Sequence, residues 1–113
     1  MRLSIALIAS MLIGCSEGPK FEDSNLPFDL SIWQSSVNKR YEMLQSIYDH
    51  NVIGAEYSNI ISLLGEPDGY YLYDEFPAYQ LSETEDCVIA FIIDRKTEKV
   101  SDMSIEPTGC QAN

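Results

Sequence analysis

Apolar residues recur along this chain with two periods, and the change of period divides it. Over residues 30–49 they fall every three or four positions. Trp33, Val37, Tyr41, Leu44 and Tyr48 form one stripe, widened by Met43 and Ile47. That spacing predicts an amphipathic helix, with Ser35, Asn38, Lys39, Glu42 and Gln45 on its solvent face. Ser31 and Gln34 have the spacing of a capping box, and His50 and Asn51 suit the helix end. Gly54 opens a second unit. Ile60, Ile61, Leu63 and Leu64 predict a short helix over residues 55–65, with Gly65 as its C-cap and Pro67 barring continuation. After the turn signal Pro67-Asp68-Gly69 the pattern becomes strand-like. Residues 70–73 form one run, and Tyr79-Gln80-Leu81 another after an interruption at Pro77. Residues 87–94 are apolar on both faces, which suits a central strand. Residues 94–99 make a polar hairpin connection, and residues 100–106 the return strand. Helices precede strands instead of alternating with them. The expected class is α+β, with two N-terminal helices packed on an antiparallel sheet of three or four strands.

The N-terminus carries a different signal. Arg2 is followed by an uncharged stretch over residues 3–14, too short for a bilayer core that needs about 20 residues. It fits the apolar region of a signal peptide. The stretch ends in Leu12-Ile13-Gly14-Cys15, which resembles the lipobox of bacterial lipoproteins. The resemblance implies diacylation of the Cys15 thiol, cleavage after Gly14 and acylation of the new amine, which gives stable anchoring. Ser16 resembles the residue that sorts such proteins to the outer membrane. The expected organisation is a signal peptide over residues 1–14, a lipidated Cys15 with a flexible polar tether over residues 15–28, and a folded domain over residues 29–113. The domain would face the periplasm.

With Cys15 taken by lipid, Cys87 and Cys110 remain as an even pair in an oxidising compartment, and a disulfide between them is expected. Pairing Asp94 with Lys99 across the hairpin would put Cys87 opposite Glu106. The chain would then have to turn back through Pro107-Thr108-Gly109 for Cys110 to reach it.

Composition narrows the chemistry. The chain has 113 residues, enough for one small domain, and 18 Asp+Glu against 7 Lys+Arg for a net charge of -11. Such a chain is a poor binder of nucleic acid phosphates. No phosphate loop, His-Glu-x-x-His, Gly-x-Ser-x-Gly or Cys-x-x-Cys motif occurs. Two cysteines and the distant His50 are too few for a metal site. The acidic run Glu83-Thr84-Glu85-Asp86 lacks the calcium-loop pattern and reads as a solvated loop. No cofactor is expected. Tyr70, Tyr71, Tyr73 and Tyr79 stand out instead. Alternate strand residues face opposite sides, so some of these tyrosines belong on the sheet face that helices leave open, where they would anchor a partner.

Gly54, Ile60, Leu64, Gly65 and Pro67 together resemble the signature of the SmpA/OmlA (BamE-like) family of small outer-membrane lipoproteins: a Gly, a short helix, then Leu-Gly-x-Pro. Arg40 with Met43 and Leu44 is similar to an upstream pattern of related lipoproteins. Tyr79-Gln80-Leu81, Ile89-Ala90-Phe91 and Lys99-Val100 resemble the family's strand landmarks. The resemblance implies two helices on an antiparallel sheet and no catalysis. The chain departs from the family at Glu56, where the family has a Ser or Thr cap, and in its tether, which lacks the family's Arg-Pro-Asp-Ile-x-Gly-type segment. The expected function is a non-catalytic, lipid-anchored envelope protein that binds protein partners, such as the outer-membrane assembly machinery. The alternative is an inhibitor or immunity-type protein whose acidity suits a basic target. An enzyme or small-ligand binder, such as a glycan-binding module using the tyrosines, is a third reading.

Overall fold

The computed structural model describes residues 19–71, 75–107 and 110. Among these residues three α-helical segments, α1 (Leu30–Ser35), α2 (Leu44–Ile47) and α3 (Tyr57–Leu64), precede four strands, β1 (Gly69–Tyr71), β2 (Phe76–Gln80), β3 (Val88–Ile93) and β4 (Val100–Glu106). The strands pair in sequence order as an antiparallel meander, β1-β2-β3-β4. The fold is α+β, with helices packed on a four-stranded antiparallel sheet.

The single helix expected over residues 30–49 is broken. The N-cap of α1 lies two residues earlier than the Ser31 pattern suggests: it is Asp29, whose Oδ1 accepts the Ile32 N–H at 3.1 Å. α1 ends at Ser35, and Ser36 leaves the helical conformation at φ -135° and ψ 86°. Short 3₁₀ turns, Val37–Lys39 and Tyr41–Met43, follow before α2, and a π turn, Tyr48–Val52, closes the run. Two side chains account for the break. In a continuous helix the Trp33 carbonyl would accept the Val37 N–H. Here it accepts Arg40 Nε at 2.7 Å. Ser35 Oγ also back-bonds to the Ser31 carbonyl at 2.7 Å, a contact that competes with helix geometry. The apolar stripe still reaches the core. Trp33, Met43, Leu44 and Ile47 are buried, while Val37, Tyr41 and Tyr48 are half-buried.

α3 ends as its sequence requires. Gly65 takes φ 91°, a conformation that disfavours any Cβ, and its N–H donates to the Ile61 carbonyl at 2.8 Å. The core then forms between the helices and one face of the sheet. Phe28, Trp33, Tyr79 and Phe91 make a chain of aromatic contacts, with ring centroids 6.1, 5.7 and 5.8 Å apart, running from the N-terminal segment through α1 to β2 and β3.

The structure corrects three further expectations. Pro77 does not interrupt the second strand but lies inside β2, opposite Tyr70. Pairing with β3 begins only at Ala78, so the missing Pro N–H costs no bond of that ladder. The hairpin register also shifts. Ile93 pairs with Val100 and Ile92 with Asp102, so Ser101 is an extra, bulged residue in β4. Val88, not Cys87, therefore faces Glu106, and Cys87 falls just before β3. The third correction concerns the tether. Phe21 and Ser24 are buried, and residues 20–28 pack on the helices instead of hanging free. The folded unit thus begins well ahead of residue 29.

Candidate functional site

The pleat sorts the tyrosines, because paired residues share a face and neighbours along a strand alternate. Tyr79 pairs with Ile89, and Ile89 with Ile105, all on the helix-covered face. Tyr79 is 1% exposed, and its hydroxyl donates to the Gly65 carbonyl at 2.8 Å. Burial, with Tyr57 and Asp68 nearby, holds that hydroxyl well above the ordinary tyrosine range. Tyr79 is therefore a core residue that ties β2 to the end of α3, and its expected role in partner binding is withdrawn.

Tyr70 pairs with Pro77 and belongs to the same face, but it lies at the rim beyond the helices and is 47% exposed. Its hydroxyl is 3.4 Å from that of Tyr57, the first residue of α3. That hydrogen bond, followed by burial and the charge of Glu66, pushes Tyr57 up to about 12. Tyr57 belonged to no expected site. Nothing local marks it, since its partner lies across the turn on β1.

Tyr71 is on the opposite face. It pairs with Phe76, and Ile92 and Val88 continue the same face on β3. None of these four joins the packed core. Between them lie Ala78 and Ala90, paired with each other at the centre of the sheet and both buried. The result is an apolar strip on the open face, with Gln80, Asp102, Ser104 and Glu106 beside it. A shallow pocket of ≈ 300 Å³ opens on this side, lined in part by Tyr71, Ala78, Gln80 and Val88. Tyr71 thus sits where the alternation argument places a contact residue, with Phe76 across the ladder and with Ile92 as a neighbour that single-strand reading missed. Tyr73 and Cys15 lie outside the described residues.

The two remaining cysteines come together. Cys87 and Cys110 are disulfide-bonded with Cα atoms 5.9 Å apart. The Cys110 N–H donates to the Pro107 carbonyl at 3.0 Å, so the tail turns back after β4 as expected. The acidic loop is built on Ser82, whose Oγ accepts the Thr84 and Glu85 N–H groups at 3.1 and 3.0 Å. Its carboxylates are exposed. Among the described residues no group of three or more His, Cys, Asp or Glu is placed to hold a metal ion, and no helix is long and apolar enough to cross a membrane.

Among the described residues the arrangement offers contact area: an apolar strip of aromatic and branched side chains on a sheet face, with carboxylates at its margin. No family model, curated protein or solved structure matches the chain.

Proposed function

We propose that this chain is a non-catalytic lipoprotein, anchored at Cys15 in the outer membrane and facing the periplasm, that holds a protein partner against the open face of its sheet. The observation that carries the reading is the cysteine assignment. Cys87 and Cys110 are consumed by the disulfide, which leaves the thiol that ends Leu12-Ile13-Gly14-Cys15 for the lipid. The likeness of Gly54, Ile60, Leu64, Gly65 and Pro67 to the SmpA/OmlA signature supports the same class, as does the helices-then-sheet order.

The partner's chemistry follows from the face. Tyr71, Phe76 and Ile92 supply apolar contact, and Glu106 on the same face carries negative charge. On a chain of net charge -11, that combination suits an apolar patch ringed by Lys and Arg.

Mass spectrometry of the mature N-terminal peptide tests the anchor. Acylated Cys15 is expected, and Cys15→Ala should leave the protein soluble or unprocessed. An unmodified Cys15 at a mature N-terminus would overturn it. Binding is tested by capture from envelope extract. Tyr71→Ala should weaken recovery of a basic partner by more than about 1 kcal/mol, while Glu83→Ala should leave it unchanged. Equal losses would mean a purely electrostatic interface. Capture of an enzyme whose activity falls on binding would place the chain among inhibitors instead.

A further inference from the structure

The segment following Cys15 is built into the domain from Lys20 onward, through contacts on every side. The Phe21 ring meets Tyr41 and Tyr48 edge-on, at centroid distances of 6.4 and 6.3 Å. Its N–H donates to Gln45 Oε1 at 2.8 Å, and the Gln45 N–H donates to the buried Ser24 Oγ at 2.9 Å. The Tyr41 hydroxyl donates to the Glu22 carbonyl at 2.6 Å. The Leu26 N–H donates to the Glu42 carbonyl at 2.8 Å, and the Phe28 N–H to Ser46 Oγ at 2.9 Å. At the head of the segment, Lys20 Nζ lies 3.1 Å from Asp102 Oδ1 on β4. The same ammonium sits over the rings of Phe21 and Tyr48, at 5.9 and 5.8 Å.

We infer that residues 20–29 are a docked strap that holds the domain close to the bilayer with its β4 side toward the lipid and its β1 rim toward the periplasm. The inference rests on lipid attachment at Cys15. Cys15 and Lys20 are five residues apart in the sequence, so their Cα atoms are at most about 18 Å apart whatever path the chain takes. A flexible chain of that length spans about 12 Å on average. A free tether reaching Phe28 could extend beyond about 40 Å and would impose no orientation. The attachment point lies beside β4, and β1 is three strand spacings away, about 14 Å. Bringing β1 to the headgroups would use nearly the whole leash. The surface presented outward is then the β1 end, with Tyr57, Tyr70 and Tyr71.

The test uses the full lipidated protein in phosphatidylcholine vesicles that carry a headgroup quencher. A dye is placed through Ser101→Cys on β4 or through Glu66→Cys beside β1, with the native disulfide intact. The dye at position 101 should be quenched several-fold more than the dye at position 66. A Gly/Ser insertion of about ten residues between Gly18 and Pro19 should remove the difference without lowering the melting temperature. Equal quenching at both positions in the uninserted protein, or a difference that survives the insertion, would overturn the strap's role. Loss of the lipid is read separately. A chain that does not float with vesicles and lacks acyl mass on Cys15 refutes the anchor itself, before any quenching is compared.

Discussion

Arg40 and Asp68 meet in a pair that is closed on one side and open on the other: Nη1 lies 2.8 Å from Oδ2, with the Arg40 side chain 9% exposed and that of Asp68 39%. The guanidinium also donates to the carbonyls of Trp33 and Gln80, at 2.7 and 3.1 Å, and stacks 4.9 Å from the Trp33 ring centroid. Asp68 Oδ2 accepts the Gln80 N–H at 2.8 Å as well. One side chain thus joins the exit of α1, the turn before β1 and the end of β2. The cost of burying its charge is offset by fixed acceptors and an aromatic face.

Arg40→Ala should therefore lower the unfolding free energy by about 3 kcal/mol, because it strips the partner from three acceptors at once. Arg40→Lys should not restore it, since an ammonium lacks the guanidinium fork. Urea unfolding measures both. A loss under about 1 kcal/mol for the alanine variant would show that the pair is incidental.

Reduction of the Cys87–Cys110 bridge, or Cys110→Ser, should cost about 2–4 kcal/mol with the fold retained. The bridge closes a loop with a sequence separation of 23 that contains all of β3 and β4. Its loss releases the end of the sheet where a short ladder frays. Thermal unfolding with and without reductant reads the effect, and labelling of either thiol in the oxidised protein would show that no bridge forms.

Phe21→Ala should destabilise the domain by about 3 kcal/mol, as expected for a buried aromatic. Starting the chain at residue 29 should cost at least as much. A truncated domain that melts at the temperature of the longer chain would contradict the packing of residues 20–28.

Stability should fall in alkali. Tyr79 and Tyr57 have hydroxyl pKa values raised above the ordinary 10.0, so the folded chain holds protons that the unfolded chain gives up. The stabilisation is complete below pH 10 and is lost as pH climbs above it. Tyr79→Phe should flatten this alkaline decline while costing about 1 kcal/mol at neutral pH, for the lost bond to the Gly65 carbonyl. Denaturation midpoints across the alkaline range test the slope. An unchanged slope would place the responsible proton elsewhere.

The features legible in sequence were those decided locally. Gly65 and Pro67 stop α3 where the chain must take a positive φ and cannot continue a helix. Asp94 builds the β3–β4 turn by accepting the Lys96 and Thr97 N–H groups at 2.8 and 3.1 Å, as short polar side chains do between apolar runs. The apolar, β-branched run at residues 88–93 became the inner strand β3, paired on both edges by β2 and β4. Part of the candidate site was legible on the same terms. Alternation showed that Tyr70 and Tyr71 must face opposite ways, but not which of them shares a side with Tyr79.

By itself, then, the sequence determined the α+β class, the end of α3, the β3–β4 turn and the pairing of Cys87 with Cys110, through periodicity, backbone preference and the parity of thiols. The tertiary structure decided what depends on distant partners. Arg40 took the carbonyl that would have continued α1, and Ser101 bulged to shift the β4 register by one residue. Tyr79 was buried and Tyr71 left on the open face, because the core lies on one side of the sheet only. Phe21 turned a polar segment into part of the fold: its buried ring meets Tyr41 and Tyr48, and the contacts of Leu26 and Phe28 and the bonds to Gln45, Ser46 and Glu42 add to it in offsetting the chain entropy of ordering the segment.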